Sequence, residues 1–158
     1  MELYHEYSNR ADNIFHLVNI YSKYMSAIEP DDDSNVTIVE RRVLININEN
    51  HGITNVELAS LLGRTPGAIT QIIIKLQNKG LVERVKKKGN AKAVHLFPTL
   101  AGVNLALDYK AKEIIGVDKI VQSLNMQYSS EEIDTFWNVL SGFVATLSYY
   151  SINSKTTK

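Results

Sequence analysis

The chain contains no cysteine in its 158 residues. Disulfides, zinc–thiolate centres and thiol redox chemistry are therefore excluded, and a reducing cytoplasm is the default setting. It also lacks any apolar run near the ~18 residues that span a bilayer. The opening "MELYHEYSNRADNIF" has no basic region followed by a long apolar core, so no secretory signal is expected. Nucleophile-elbow, glycine-rich phosphate-loop and metal motifs are missing too, which argues against an enzyme. The four histidines, His5, His16, His51 and His95, never fall at helical i,i+3 or i,i+4 spacing. A metal-sensing site would have to be assembled from distant segments, with Glu49 or Asp12 as helpers. No metal and no cofactor is expected.

Net charge is nil as well, with 17 basic and 17 acidic residues. That balance is a cancellation. Between Arg64 and Lys92 stand eight lysines and arginines against the single acid Glu83, a local charge of +7 that the rest of the chain offsets. A basic middle between acidic ends suits a polyanion-facing surface on a soluble scaffold.

Along the chain, residues 10 to 28 carry Ile14, Leu17, Val18, Tyr21, Met25 and Ile28 at the 3–4 spacing of one helical face. "EPDDDSN" is a loop, and "VTIVERRVLININEN" reads as a second helix despite its β-branched residues, because Val39, Val43, Leu44 and Ile47 share a face. Thr54 and Glu57 form a capping box, and Gly63 ends the short helix they open. Thr65 is the next N-cap, Pro66 the first helical residue and Gly80 the stop. "LVERV" and "AVHLF" are short strands around a lysine-rich turn, a hairpin. Thr99 opens a helix to about Leu124, and Ser129 with Glu132 caps the last one.

Two short helices joined by a tight glycine turn make a helix-turn-helix. Ala59 is small enough for close approach, Gly63 permits the turn, and Ile69 and Ile72 fill the space between the helices. On the second helix, Ile69, Ile72, Ile73 and Leu76 face inward, while Gly67, Gln71, Ile74 and Asn78 face outward, flanked by Thr70 and Lys75. That outward face is small, neutral and hydrogen-bonding. Gln or Asn can pair with adenine, and a hydroxyl can contact a base or a phosphate. An outward Ile74 would either meet a thymine methyl or pack beneath the hairpin, and packing is the preferred reading. The hairpin lysines supply point charges suited to phosphate.

"VELASLLGRTPGAITQIIIKLQNKGLVERV", the basic turn and "LFPTLAGVNLAL" together resemble the MarR family of winged-helix transcription regulators, over nearly the whole chain. The resemblance implies a mainly α fold with a small β-hairpin wing. It places a DNA-binding domain at 36–98 and a dimerisation region at 1–35 and 99–158. "KKKGNAK" stands where the family's wing commonly carries an Asp-x-Arg buttress. The expected DNA-contacting residues are Thr65, Pro66, Gly67, Thr70, Gln71 and Lys75 on the recognition helix. Arg84, Lys86, Lys87, Lys88, Asn90 and Lys92 are those of the wing. Ile14, Val18, Ile133, Phe136, Trp137, Leu140 and Val144 are expected to form the dimer.

The function so implied is a homodimeric repressor on a palindromic double-stranded DNA site, cytoplasmic and not membrane-bound. Its recognition helices would lie about 34 Å apart. A small phenolic or amphipathic effector, lined by Tyr21, Tyr24, Met25 and Tyr109, would release it by changing that spacing. Two rivals stand beside this reading: a winged-helix protein-interaction module without DNA binding, and a metal-responsive regulator. Neutralising Lys87 and Lys88 together should weaken binding to every sequence. It should also flatten the salt dependence by up to about one unit per lost phosphate contact, read from binding isotherms across a salt series.

Overall fold

The computed structural model describes residues 2–28, 35–86 and 94–153. Six helices and one hairpin follow in the order α1 (Glu2–Ile28), α2 (Ile38–Glu49), α3 (Asn55–Leu61), α4 (Pro66–Asn78), β1 (Val82–Lys86), β2 (Val94–Pro98), α5 (Leu100–Leu124) and α6 (Ser130–Asn153). By compactness the chain divides into residues 1–38 and 39–158.

The first unit is essentially α1. It begins at Glu2, eight residues ahead of the expected start at residue 10. Nothing between Glu2 and Asn9 breaks a helix, and Arg10 pairs with Glu6 one turn back while lying over the Tyr7 ring. The apolar periodicity starts late, and the helix does not depend on it. Tyr4, Tyr7, Ile14, Phe15 and Val18 are all exposed on this unit.

The second unit holds the core. Val43, Leu44 and Ile47 of α2 are buried together with Leu58, Ala59, Ile69, Ile73, Leu76 and Leu96. The β-branched run of α2 is helical, as its spacing indicates, because four of its side chains enter the core from one helical stripe and its flanks. Glu40 lies on that same stripe at 3% exposure, where an unpaired charge would be costly. It accepts from Lys79 Nζ at 2.8 Å, tying the start of α2 to the C-cap of α4. Farther along, Arg41 lies over the Tyr109 ring, 4.5 Å from its centre. Arg42 donates to Glu113 at 2.8 Å and Lys110 reaches Glu49 at 2.9 Å, so α2 and α5 are stitched along their length.

Both glycine stops do the work assigned to them. At the end of α3, Gly63 (φ +60°) donates to Ser60 O and Arg64 to Ala59 O; at the end of α4, Gly80 (φ +69°) donates to Gln77 O and Leu81 to Leu76 O. Each is a Schellman motif, which needs a left-handed residue just past the helix.

β1 and β2 pair antiparallel from Val82↔Pro98 to Lys86↔Val94. Residues 52–54 run beside β2, with Gly52 N donating to Leu96 O at 2.8 Å and Leu96 N to Ile53 O at 3.0 Å. One point joins helix, hairpin and helix. Thr99 N donates to Leu81 O (3.1 Å), and Thr99 Oγ1 donates to Gly80 O (2.7 Å) while capping α5 through Gly102 N (3.1 Å). Here Gly102 is obligatory, because a Cβ on it would sit 2.0 Å from Leu81 O.

α6 contributes little to this core. Ile133 is buried, but Phe136, Trp137, Val139, Phe143, Val144, Leu147, Tyr149 and Tyr150 are exposed. Gly102→Ala should cost about 3 kcal/mol through overpacking against backbone. That is a fall in Tm of roughly 6–12 °C for a chain of this size, measurable by calorimetry.

Candidate nucleic-acid interface

The interface is built from α3, α4 and the hairpin, all within the second unit. α3 starts on the expected capping box: Thr54 Oγ1 accepts from Glu57 N at 3.3 Å, and Glu57 Oε2 accepts from Thr54 N at 2.8 Å and from Thr54 Oγ1 at 2.7 Å. These two bonds to Thr54, the backbone one first, hold the Glu57 carboxyl below the ordinary carboxylate value. His95 Nδ1 lies 2.7 Å from Gly52 O, so that nitrogen carries the proton and the bond ties β2 to the loop before α3.

α4 starts with Thr65 Oγ1 accepting from Ala68 N at 3.2 Å, with Pro66 at the first helical position. Its inner face is as expected, with Ile69, Ile73 and Leu76 fully buried and Ile72 half-buried. Gly67, Gln71, Lys75 and Asn78 are exposed. A Cβ at Gly67 would meet nothing within 4 Å, so space remains at the start of the helix for a ligand to approach. Ile74 stands 38% exposed on this face. Arg84 and Lys86 are exposed on β1. Lys87, Lys88, Asn90 and Lys92 lie outside the described residues.

Three features modify the picture drawn from sequence. Lys79, one of the eight basic residues of the segment, is committed to buried Glu40 and does not add to the groove-facing charge. An acid on the apolar stripe of α2, in step with Val43, Leu44 and Ile47, was the available signal for that pairing. Thr70 is half-buried, and its hydroxyl donates to Pro66 O at 2.8 Å. Asn55, which no sequence pattern singles out, donates through Nδ2 to Thr70 Oγ1 at 2.8 Å and to Pro66 O at 3.1 Å.

Of the residues expected to line an effector site, Tyr21 is exposed on α1 and Tyr24 half-buried, while the side chain of Met25 lies outside the described residues. Tyr109 is 1% exposed beneath Arg41, within the second unit. The expected dimer residues Ile14, Val18, Phe136, Trp137 and Val144 are exposed, Leu140 is half-buried and Ile133 buried. Among the described residues no three of His, Asp and Glu gather as a metal would require. None of the described helices is long and apolar enough to cross a membrane.

Residues 36–94, which hold α2, the helix-turn-helix and the first hairpin strand, match the model of the MarR family. Over 127 residues the chain is 27% identical to the multiple antibiotic resistance protein MarR of Escherichia coli strain K12, covering 77% of this chain and 82% of that one. Over residues 36–94 the chain is similar to the MarR family. Among solved structures, a MarR-family regulator from Listeria monocytogenes, complexed with 26mer DNA, superposes with a TM-score of 0.79 at 19% identity, over 92% of this chain and 95% of that one. FabT of Streptococcus pneumoniae, in complex with DNA, gives 0.71 at 23% identity over 91% and 96%. These likenesses establish the winged-helix fold, and the described parts of the motifs read from the sequence fall on α3, α4, β1, β2 and the start of α5.

The cap on α3 carries a pH signature. Because the Glu57 pKa is depressed by folding, its contribution is present above the unfolded carboxylate range and is lost as pH falls through the depressed value. Glu57→Gln should lower Tm near neutrality, and the difference from the parent should shrink as pH falls below the ordinary carboxylate range. Melting curves of both proteins across that range check it, and the Glu132 cap, common to both, drops out of the difference.

Proposed function

We propose that the chain is a homodimeric, cytoplasmic DNA-binding regulator that represses transcription. α4 would lie in the major groove and the β1–β2 hairpin on the phosphate backbone beside it. The observation that carries this is the outward face of α4. Gly67, Gln71, Lys75 and Asn78 are exposed there, and among the described residues no side chain on that face except Thr70 is tied into the fold. A helix fixed at both ends and along its inner side, yet uncommitted on its outer side, suits reading of base edges. The Listeria and Streptococcus relatives captured on DNA support the same reading.

Two-fold association is supported by the exposed apolar residues of α1 and α6, which are more than a monomer leaves in water without a use. Release by a small phenolic or amphipathic effector completes the proposal, with Tyr21, Tyr24, Met25 and Tyr109 as its candidates. A ligand reaching Tyr109 would have to displace Arg41 from the ring, which would loosen the attachment of α2 to α5. An effector acting this way would change DNA affinity by roughly 5–150-fold.

Selection of duplexes from a random library by the purified protein tests the whole reading. The recovered site should be palindromic, with half-sites about one helical turn apart. Failure to retain any duplex at low salt would instead favour a protein-interaction module. Gln71→Ala should cost about 1–3 kcal/mol at one base pair of that site and leave affinity for unrelated DNA unchanged.

A further inference from the structure

We infer that Thr70 reads a thymine through its methyl group and not through its hydroxyl, with Asn55 as the positioning residue that enforces the choice. The inference rests on the DNA-binding reading above and adds to it which chemistry one residue of α4 presents.

The argument is a count of protons. Three polar groups meet at the start of α4: the Pro66 carbonyl, the Thr70 hydroxyl and the Asn55 amide. A carbonyl can only accept. The Asn55 amide atom that lies 3.1 Å from Pro66 O must therefore be the nitrogen, since the flipped amide would set two oxygens against each other. That same nitrogen lies 2.8 Å from Thr70 Oγ1, so its second proton occupies one hydroxyl lone pair. The single hydroxyl proton is then directed to Pro66 O, 2.8 Å away on the preceding turn. Asn55 Oδ1 bears the cost of this arrangement. Among the described residues it is the buried side-chain polar atom left without a partner.

Thr70 accordingly has no proton to donate. Phosphate oxygens, thymine O4 and guanine O6 and N7 are all acceptors, so none of them can take a hydrogen bond from it; the hydroxyl's one remaining lone pair could accept only from an adenine or cytosine amino group, and at a thymine the side chain has only its methyl to offer. With both hydroxyl bonds directed into the fold, the γ-methyl is the remaining group of this half-buried side chain, and the inference places it toward the groove beside exposed Gln71. The thymine 5-methyl is the apolar group that a major groove offers. Shielding one methyl from water is worth roughly a fourfold change in affinity.

The probe is a duplex recovered from the random library by the parent protein. Each dT of one half-site is replaced in turn by dU, which lacks only the 5-methyl. The parent should lose roughly fourfold in affinity at one such position. Thr70→Val, which keeps a methyl and has no hydroxyl, should show the same loss at the same position. Thr70→Ser, which keeps both hydrogen bonds and lacks the methyl, should be indifferent to dU there. Melting curves of both variants confirm that each is folded. A parent protein indifferent to dU throughout would overturn the inference, as would a dU penalty that survives in Thr70→Ser. If no duplex is recovered at all, the DNA-binding reading fails and this inference falls with it. If a duplex is recovered but the dU pattern is wrong, this inference fails alone.

Discussion

The close contact between α5 and the backbone of Leu81 is the constraint on which the rest of the second unit depends. At that point the last turn of α4 ends, β1 begins and α5 starts, all within a few ångströms of one carbonyl. A side chain at position 102 would force the Leu81 backbone to shift, and Thr99 uses both its backbone nitrogen and its hydroxyl to hold the splice closed. Glu40 and Lys79 add a charged bond from α2 to the same corner, largely withdrawn from water. The end of α4 is thereby tied, through Gly80, Leu81 and Thr99, to the start of α5.

Most of this frame was legible in the sequence because it is made of local signals. Capping boxes, a proline at the first helical position and two glycines past helix ends each depend on residues within four positions of one another. Each appears in the structure where the pattern places it. What local patterns did not pair was chemistry between segments distant in the chain. The commitment of Lys79 to Glu40 links residues 39 positions apart, and that of Asn55 to Thr70 links residues 15 apart. Charge counting overstated the cations available to a ligand for that reason. The early start of α1 was missed for a different one. Its first turns are held by helix-surface pairing such as Glu6 with Arg10, and an apolar periodicity does not register it.

The two halves of the candidate interface divide along the same line. The helix face offers small and uncharged groups whose value lies in position, and position is what the splice and the caps secure. The hairpin offers cations whose value is nearly independent of position, because attraction to a polyanion falls off gently with distance. Precision is thus concentrated where the fold is most over-determined.

The two Schellman stops have a consequence for the history of such a molecule. They fix the ends of α3 and α4 through backbone bonds and left-handed glycines, and the inner isoleucines fix the roll of α4. Gln71, Lys75 and Asn78 are then free of structural duty among the described residues, so substitution there is nearly neutral for folding. If α4 reads DNA as proposed, a lineage carrying this scaffold can change its target sequence at those positions without first acquiring spare stability. Thr70 is the exception. Its hydroxyl belongs to the fold, so on the inferred role of its methyl it is the position at which a change of target would also be felt as a change of stability.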